Sequence, residues 1–193
     1  MTALFASRLD ARRSQAVFRV LLSALAEPGR IWRLPLEGLG AAVVPLSLAV
    51  IDSNFAVVGD KVQADRVRAA TGASAVGLAE AALVALCGTV EAESIEQLRR
   101  GSALEPELGA KVGVDCGRLV AGTGPDVQAE VVVELSGPGI PGTACLGVDG
   151  VAPQVFVAVA QANREFPAGV DVWLVDEEGQ VAGIPRSSRL EVR

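Results

Sequence analysis

The longest periodic pattern of apolar residues predicts a helix near the amino terminus, over residues 10–26. Apolar side chains recur there with the i, i+3, i+4, i+7, i+8 spacing that places them on one face of an α-helix. The stripe consists of Val17, Val20, Leu21, Ala24 and Leu25, and it is widened by Phe18 and Leu22. Pro28 and Gly29 follow the stripe and predict the end of the helix.

Apolar runs rich in β-branched residues predict strands along the rest of the chain. The predicted strands cover residues 30–36, 55–59, 82–88, 110–116, 127–135 and 143–149, with two short strands within 171–185 around a Glu-Gly turn. Helices are predicted over residues 60–71, capped by Gly72, and over residues 94–100. Because helices and strands are mixed without a repeat or a linker, we expect one α/β domain over residues 1–193. Its core would be a central mixed sheet flanked by helices.

Two apolar segments fit either a helix or a strand. Residues 40–51 form a continuous apolar run, and residues 152–166 contain valines that alternate as in a strand. The length of each segment favours a helix, in which Pro45 and Pro153 would both lie in the first turn.

The stretch ELSGPGIPG contains Gly137, Gly139 and Gly142 in the G-x-G-x-x-G spacing of dinucleotide-binding loops. Such a loop connects a strand to a helix whose amino terminus faces the pyrophosphate. Here the residues that follow alternate as a strand, and two prolines inside the loop remove backbone N–H groups that a phosphate would need. The pattern therefore predicts a connection between two strands.

Half of the 193 residues are hydrophobic and the net charge is −6. Lysine and arginine do not cluster among aromatic residues, so we expect no binding to nucleic acid or to an anionic membrane. The longest apolar run, residues 40–51, is shorter than the ~20 residues of a membrane span. The amino terminus lacks the basic flank of a signal peptide, and a cytoplasmic location is the expectation.

The chain contains no histidine and no tyrosine. This excludes a Ser-His-Asp triad, an H-E-x-x-H zinc site and imidazole acid–base chemistry within the chain itself. The three cysteines are odd in number and far apart, which argues against both a disulfide framework and a zinc site. From the sequence we assign no catalytic residue, no cofactor and no metal ligand.

Three groups of side chains admit a chemical role beside a structural one. Cys87 and Cys116 are candidate nucleophiles or small buried apolar residues. Lys61 and Lys111 are the amines available for a Schiff base with pyridoxal phosphate, or they lie at the surface. Carboxylates at the ends of strands or helices could bind Mg²⁺ or could cap turns. These carboxylates belong to Asp52, Asp115 and Asp176.

The candidates for binding an anion are Arg186, Ser187 and Ser188, because guanidinium and hydroxyl groups suit phosphonate or phosphate oxygens. The alternative is that Arg186 lies in solvent or pairs with a carboxylate. Arg19, on the first helix, is a further candidate for an anion site or an interface, or part of a solvated face.

Four stretches of the chain carry a family resemblance: RRSQAVFRVLLSALAEPGRI (12–31), ELSGPGIPG (134–142), NREFPAGVDVWLVD (163–176) and AGIPRSS (182–188). In their order and spacing they resemble the PhnH family of phosphonate metabolism. The resemblance spans nearly the whole chain. It implies a homodimer with an α/β fold similar to the large domain of pyridoxal-phosphate-dependent transferases, without the cofactor site.

The resemblance also implies partners, namely the PhnG, PhnI and PhnJ subunits of a carbon–phosphorus lyase core complex. That complex transfers a phosphonate to the ribose C1 of ATP with loss of adenine, before PhnJ cleaves the C–P bond by radical chemistry. No chemical step is assigned to PhnH, so we expect an accessory subunit without activity of its own. The alternative is a stand-alone transferase that binds a phosphonate or a nucleotide in an α/β crevice. A mean hydropathy of +0.40 further predicts that apolar surface covers an interface.

Overall fold

The computed structural model describes residues 10–50, 52–122 and 127–193. The amino-terminal segment considered above as a signal peptide, and Ile51 of the 40–51 run, lie outside the described residues. The helices are α1 (Ala11–Ala26), α2 (Val43–Leu48), α3 (Lys61–Thr71), α4 (Ala92–Glu96) and α5 (Pro153–Ala162), with 3₁₀ turns at Gly40–Ala42 and Pro106–Leu108. The strands are β1 (Trp32–Arg33), β2 (Asn54–Val58), β3 (Ser74–Ala75), β4 (Leu83–Leu86), β5 (Lys111–Asp115), β6 (Arg118–Gly122), β7 (Val131–Ser136), β8 (Thr143–Asp149), β9 (Asp171–Val175), β10 (Gln180–Ile184) and β11 (Arg189–Val192).

Seven of these strands form a mixed sheet in the order β1-β10-β9-β5-β4-β2-β3. The strands from β9 to β3 are parallel to their neighbours, whereas β10 and β1 are added antiparallel. The prediction of an α/β fold with a mixed sheet flanked by helices is therefore confirmed.

Both faces of the central sheet are buried. Alternate residues of each strand point to opposite faces, so each strand contributes side chains to both of them. In β9, Trp173 and Val175 belong to a core that includes residues of α1, α2 and α3. Val172 and Leu174 belong to a second core, which includes residues of α4 and α5. Gly183 of β10 lies against α1 so closely that a Cβ there would come within 2.4 Å of a backbone oxygen of the helix. Close approach of helix to sheet thus requires glycine at this position.

The strands around the Gly/Pro loop do not join the central sheet, a point on which the sequence made no prediction. β7 and β8 form an antiparallel hairpin that belongs to a separate four-stranded sheet, in the order β11-β7-β8-β6. Its buried face, which includes Val133 and Leu135, packs into the same core as Val172 and Leu174. Strands β3, β6 and β11 were not predicted; β3 and β11 are short, and all three are held by pairing with a strand distant in sequence.

Local sequence signals account for the helix ends. Asp10 caps α1 by accepting the N–H of the residue three positions on at 2.9 Å, and Gly72 ends α3 with φ +72° as predicted. Both ambiguous segments contain a helix, with Pro45 and Pro153 in the first turn. The helix predicted over residues 94–100 is shorter in the structure and begins earlier. Of the strand predicted over residues 30–36, only two residues pair with a neighbouring strand. No helix among the described residues has the length and apolar character needed to cross a bilayer.

Candidate functional site

The G-x-G-x-x-G stretch is the turn between β7 and β8. The strands pair antiparallel, with Ser136 opposite Thr143, and no helix follows the loop. All three glycines have positive φ, and a Cβ on Gly139 would lie 2.3 Å from the carbonyl oxygen of Ala26 at the end of α1. The interpretation of this motif as a connection between two strands is confirmed. Its glycines serve the turn and the contact with α1.

A crevice of about 410 Å³ opens at the carboxyl ends of β5 and β9. This is the edge at which parallel α/β sheets commonly bind ligands. Its charged lining residues are Asp115, Asp176 and Glu177, and neither lysine nor arginine is found among the described residues that line it. The crevice is therefore acidic and disfavours a phosphate or phosphonate anion.

The carboxylates of the two crevice aspartates accept hydrogen bonds from backbone N–H groups. Asp115 accepts the N–H of Ala41 at 2.5 Å and the N–H of Gly88 at 3.1 Å. Asp176 is only 4 % exposed. It accepts two N–H groups of the turn that follows it, at 3.0 and 2.7 Å, and the side-chain amide of Gln180 at 3.1 Å. Both carboxylates tie loops to the ends of the strands.

The third aspartate considered for Mg²⁺ lies elsewhere. Asp52 is exposed and lines a separate hollow beside α1 and α2, together with Ser47 and Thr71. Within residues 10–50, 52–122 and 127–193, no three His, Cys, Asp or Glu side chains approach closely enough to hold a metal ion. Of the aspartates that the sequence singled out, Asp115 and Asp176 therefore share the crevice, whereas Asp52 lies apart from them.

All three cysteines are buried free thiols. Burial raises the pKa of Cys87 to about 12, and the negative charges of Asp115 and Asp60 add to this effect. Burial also raises the pKa of Cys116, which lines the crevice, with further contributions from neighbouring aspartates. A thiolate is the nucleophilic form of cysteine, so neither thiol is activated for catalysis. Cys145 is buried within β8.

Neither lysine lies in the acidic crevice. Lys61 is the exposed first residue of α3. Lys111 begins β5, at the opposite end of the strand, and its Nζ donates to the carbonyl oxygens of Glu107 at 3.2 Å and Gly109 at 3.4 Å. Burial, with the nearby charge of Arg186, lowers the pKa of Lys111. The two amines therefore have no shared site.

A larger hollow of about 1130 Å³ lies between α5 and β11, and we call it the α5–β11 groove. One wall is the end of α5 and the turn after it, with Gln161, Arg164 and Phe166. The other wall is the carboxyl-terminal segment 186–192, and Ser136 and Gly137 close one end. The groove brings together Arg186, Ser187 and Ser188, the residues that the sequence singled out for binding an anion.

Arg186 is committed to a structural ion pair. Its guanidinium Nη2 lies 2.7 Å from the Asp171 carboxylate, Nε donates to the same carboxylate at 3.2 Å, and the backbone N–H adds a bond at 2.9 Å. Nη1 donates to the carbonyl oxygen of Pro106. The two charged side chains are only 11 % and 18 % exposed. Pairing with a carboxylate of this chain was the alternative considered above for this arginine.

The two serines differ in their surroundings, and Arg19 is not in the groove. Ser187 is half-buried, whereas Ser188 is 6 % exposed and its hydroxyl has no hydrogen-bond partner in the part of the chain described. Gly137 lies against this segment, where its missing side chain leaves room for the Ser187 backbone. Arg19 is exposed on α1, beside Phe18 and Leu22.

Sequence reasoning missed two cations of the groove. Arg164 and Arg189 are exposed and line it from opposite walls, and neither forms an ion pair with a described residue. Arg164 is the second residue of the stretch 163–176, and Arg189 directly follows AGIPRSS. Nothing in the local pattern of either stretch shows that α5 and β11 face one another, so only the fold reveals the pair.

Comparison with known proteins assigns the family. The model of a family described as bacterial phosphonate metabolism protein (PhnH) matches residues 5–191. The chain belongs to the PhnH family. It is also similar to the putative C-P lyase subunit protein HtxG of Stutzerimonas stutzeri, with 32 % identity over 186 residues that cover 95 % of this chain and 89 % of the relative. The resemblance carried by the four stretches is confirmed.

Three of the four stretches by which this PhnH-family chain was recognised meet at the α5–β11 groove. The stretch 134–142 contributes Ser136 and Gly137, the stretch 163–176 begins at the end of α5, and the stretch 182–188 supplies Arg186 and both serines. The fourth stretch contains most of α1, whose end touches Gly139. The acidic crevice draws fewer of its lining residues from these stretches.

Proposed function

We propose that this chain is an accessory subunit of a carbon–phosphorus lyase complex in phosphonate breakdown. Membership of the PhnH family and similarity to a putative C–P lyase subunit support this role. The structural observation that carries it concerns the aspartates and the thiol of the crevice at the carboxyl ends of the strands. Its two aspartates are occupied by backbone N–H groups, and the pKa of the thiol beside them is raised. Catalysis requires groups that are free and tuned to accept or donate protons.

The finer features of this proposal come from the family resemblance. The partners are PhnG-, PhnI- and PhnJ-like subunits, and the complex uses phosphonate and ATP. In this role the chain supports the coupling of an alkylphosphonate to the ribose C1 of ATP, with loss of adenine, ahead of C–P bond cleavage. It acts in the cytoplasm as one domain over residues 1–193, with the fold of the large domain of pyridoxal-phosphate-dependent transferases. The two cores on either side of one shared sheet support the single domain.

The same proposal includes a homodimer formed through α1. Phe18 and Leu22 are 45 % and 56 % exposed on this helix, at the rim of an apolar hollow of about 390 Å³. Leu25 and Leu48 continue the hollow, and Arg19, next to Phe18 in sequence, is also exposed on α1. Adjacent exposed apolar side chains beside a hollow are typical of an interaction surface. Arg19 is then an interface residue at the rim.

The dimer is tested by light scattering at micromolar concentration. Leu22→Asp places a charge in the apolar patch and should give the mass of one chain, whereas the wild type should give twice that mass. Leu104→Asp is the matched control, because Leu104 is 93 % exposed and far from α1 in sequence. A monomeric wild type contradicts the dimer.

The accessory role is tested by expressing the chain alone and together with the three partner subunits, one of which carries an affinity tag. The chain should co-elute with the tagged subunit, and the isolated chain should consume neither ATP nor phosphonate. Steady turnover by the isolated chain, abolished by changing Asp115 or Cys116, would identify a stand-alone transferase instead. Failure to enter the complex, with no turnover alone, would also contradict the proposal.

A further inference from the structure

We propose that the α5–β11 groove binds the tetrahedral oxyanion of a small phosphonate or phosphate compound. Arg164 and Arg189 supply the positive charge, and Ser188 supplies a hydroxyl donor. The site does not depend on the accessory role proposed above, because it rests on the groove itself. It also differs from the crevice at the carboxyl ends of the strands, where the fold alone would place a ligand.

The distribution of charge separates the two hollows. The chain as a whole carries a net charge of −6, yet the described residues that line the groove include three arginines and only one acidic residue, Glu191. Asp171 neutralises Arg186. The other two arginines, Arg164 and Arg189, form no ion pair with a described residue. Guanidinium groups that are not already paired can bind two oxygens of a phosphoryl or phosphonyl group at once. An anion repelled by the acidic crevice is attracted to this groove.

The buried hydroxyl of Ser188 is the second observation. A buried polar atom normally has a hydrogen-bond partner, and leaving it without one costs free energy. The Ser188 hydroxyl makes no hydrogen bond to the described residues and is buried in its present rotamer, and Ser188 is among the residues that line the groove. Rotation about its Cα–Cβ bond therefore breaks no existing bond, and a ligand oxygen in the groove would provide the missing partner.

The shape of the groove admits more than the anion alone. Its volume of about 1130 Å³ exceeds the space needed for a phosphonyl group. Phe166 is 63 % exposed at the wall formed by the turn after α5, and Val157 of α5 is 45 % exposed. These apolar surfaces suit the alkyl group of a phosphonate or the base of a nucleotide. Phosphonates and nucleotides share the tetrahedral oxyanion, and the experiment distinguishes between these two classes of ligand.

The experiment titrates the full-length, ¹⁵N-labelled protein with inorganic phosphate, methylphosphonate or ATP at constant ionic strength. Amide resonances of Arg164, Ser187, Ser188 and Arg189 should shift saturably. Arg164→Gln and Arg189→Gln should each weaken binding about tenfold, the effect of losing one charge-assisted hydrogen bond. Arg33→Gln removes an exposed guanidinium on β1 and serves as the matched control, with unchanged affinity.

Ser188→Ala distinguishes a ligand role from a structural one. Because the hydroxyl has no partner in the described residues, its removal should leave the melting temperature unchanged or raise it, while it weakens binding several-fold. Tighter binding of methylphosphonate than of phosphate or ATP identifies a phosphonate as the ligand. Tighter binding of ATP identifies a phosphate ester, and tighter binding of inorganic phosphate identifies the free ion. Absence of saturable shifts with all three probes overturns the site. An equal loss of affinity in Arg33→Gln also overturns it, because binding would then reflect only overall charge.

Discussion

Replacing Asp171 with asparagine removes the carboxylate that neutralises Arg186. The substitution keeps the size and planarity of the side chain, so it tests charge rather than packing. Asp171 lies at the start of β9 and receives two side-chain nitrogens and the backbone N–H of Arg186, which follows β10. The variant would leave a guanidinium that is only 11 % exposed without its counter-charge, beside the amine of Lys111.

The expected loss of stability follows from the burial of this pair. Removing one partner of a buried ion pair costs about 3–5 kcal/mol, and the retained amide oxygen of asparagine favours the lower end. For a chain of this length, a loss of about 3 kcal/mol corresponds to a decrease in melting temperature of about 6–12 °C. Salt should change this decrease little, because buried charges are only weakly screened.

Thermal unfolding followed by circular dichroism measures the effect. The matched control is Glu27→Gln, which breaks the Arg30–Glu27 pair at 2.6 Å, whose side chains are 60 % and 48 % exposed. An exposed pair contributes about 0–1 kcal/mol, so this control should melt within about 3 °C of the wild type. If Asp171→Asn melts within the same interval as the control, Arg186 does not depend on this carboxylate and the reasoning is refuted.

Three further predictions concern other parts of the fold. Gly139→Ala should destabilise the protein by more than about 2 kcal/mol in urea unfolding, because positive φ strain adds to a Cβ placed 2.3 Å from a backbone oxygen of α1. Cys87 and Cys116 should not react with a thiol reagent at pH 8 in the native protein, because burial raises the pKa of both. The Asp149 carboxylate has a lowered pKa, first through the Glu130 N–H and then through Arg118. Its stabilisation should be present above pH 4 and lost as the pH falls through its folded-state pKa, as urea midpoints would show.

Each of these predictions has a control and an outcome that contradicts it. Gly142→Ala shares the positive φ of +83° but has open space around the new Cβ, so an equal loss in both variants would remove the role of the contact with α1. Rapid labelling of native thiols, compared with labelling in denaturant, would show that they are accessible. Asp149→Asn should flatten the acid dependence of stability, whereas Asp65→Asn, at an exposed helix position, should not. Equal curves for the two variants would be inconsistent with the pKa argument.

The local features of the fold were predictable because neighbouring residues determine them. The apolar stripe of α1, the glycine cap of α3 and the strand pairing around the Gly/Pro loop all depend on residues within one or two turns of each other. The strand pattern of residues 143–149, together with the two prolines inside the loop, was enough to argue against a dinucleotide loop, because nothing after the loop indicates the required helix. In contrast, two-residue and four-residue strands such as β3 and β11 have too few positions to show a period.

The composition excluded imidazole chemistry, and the order of four short stretches indicated the family, before any contact between distant residues was known. Tertiary structure alone decided that Arg186 pairs with Asp171, that the hairpin belongs to a second sheet, and that Arg164 and Arg189 line one groove. The physical reason is that ion pairs and grooves form between residues far apart in the chain. Their partners are chosen by the packing of whole elements, which no local pattern of residues records.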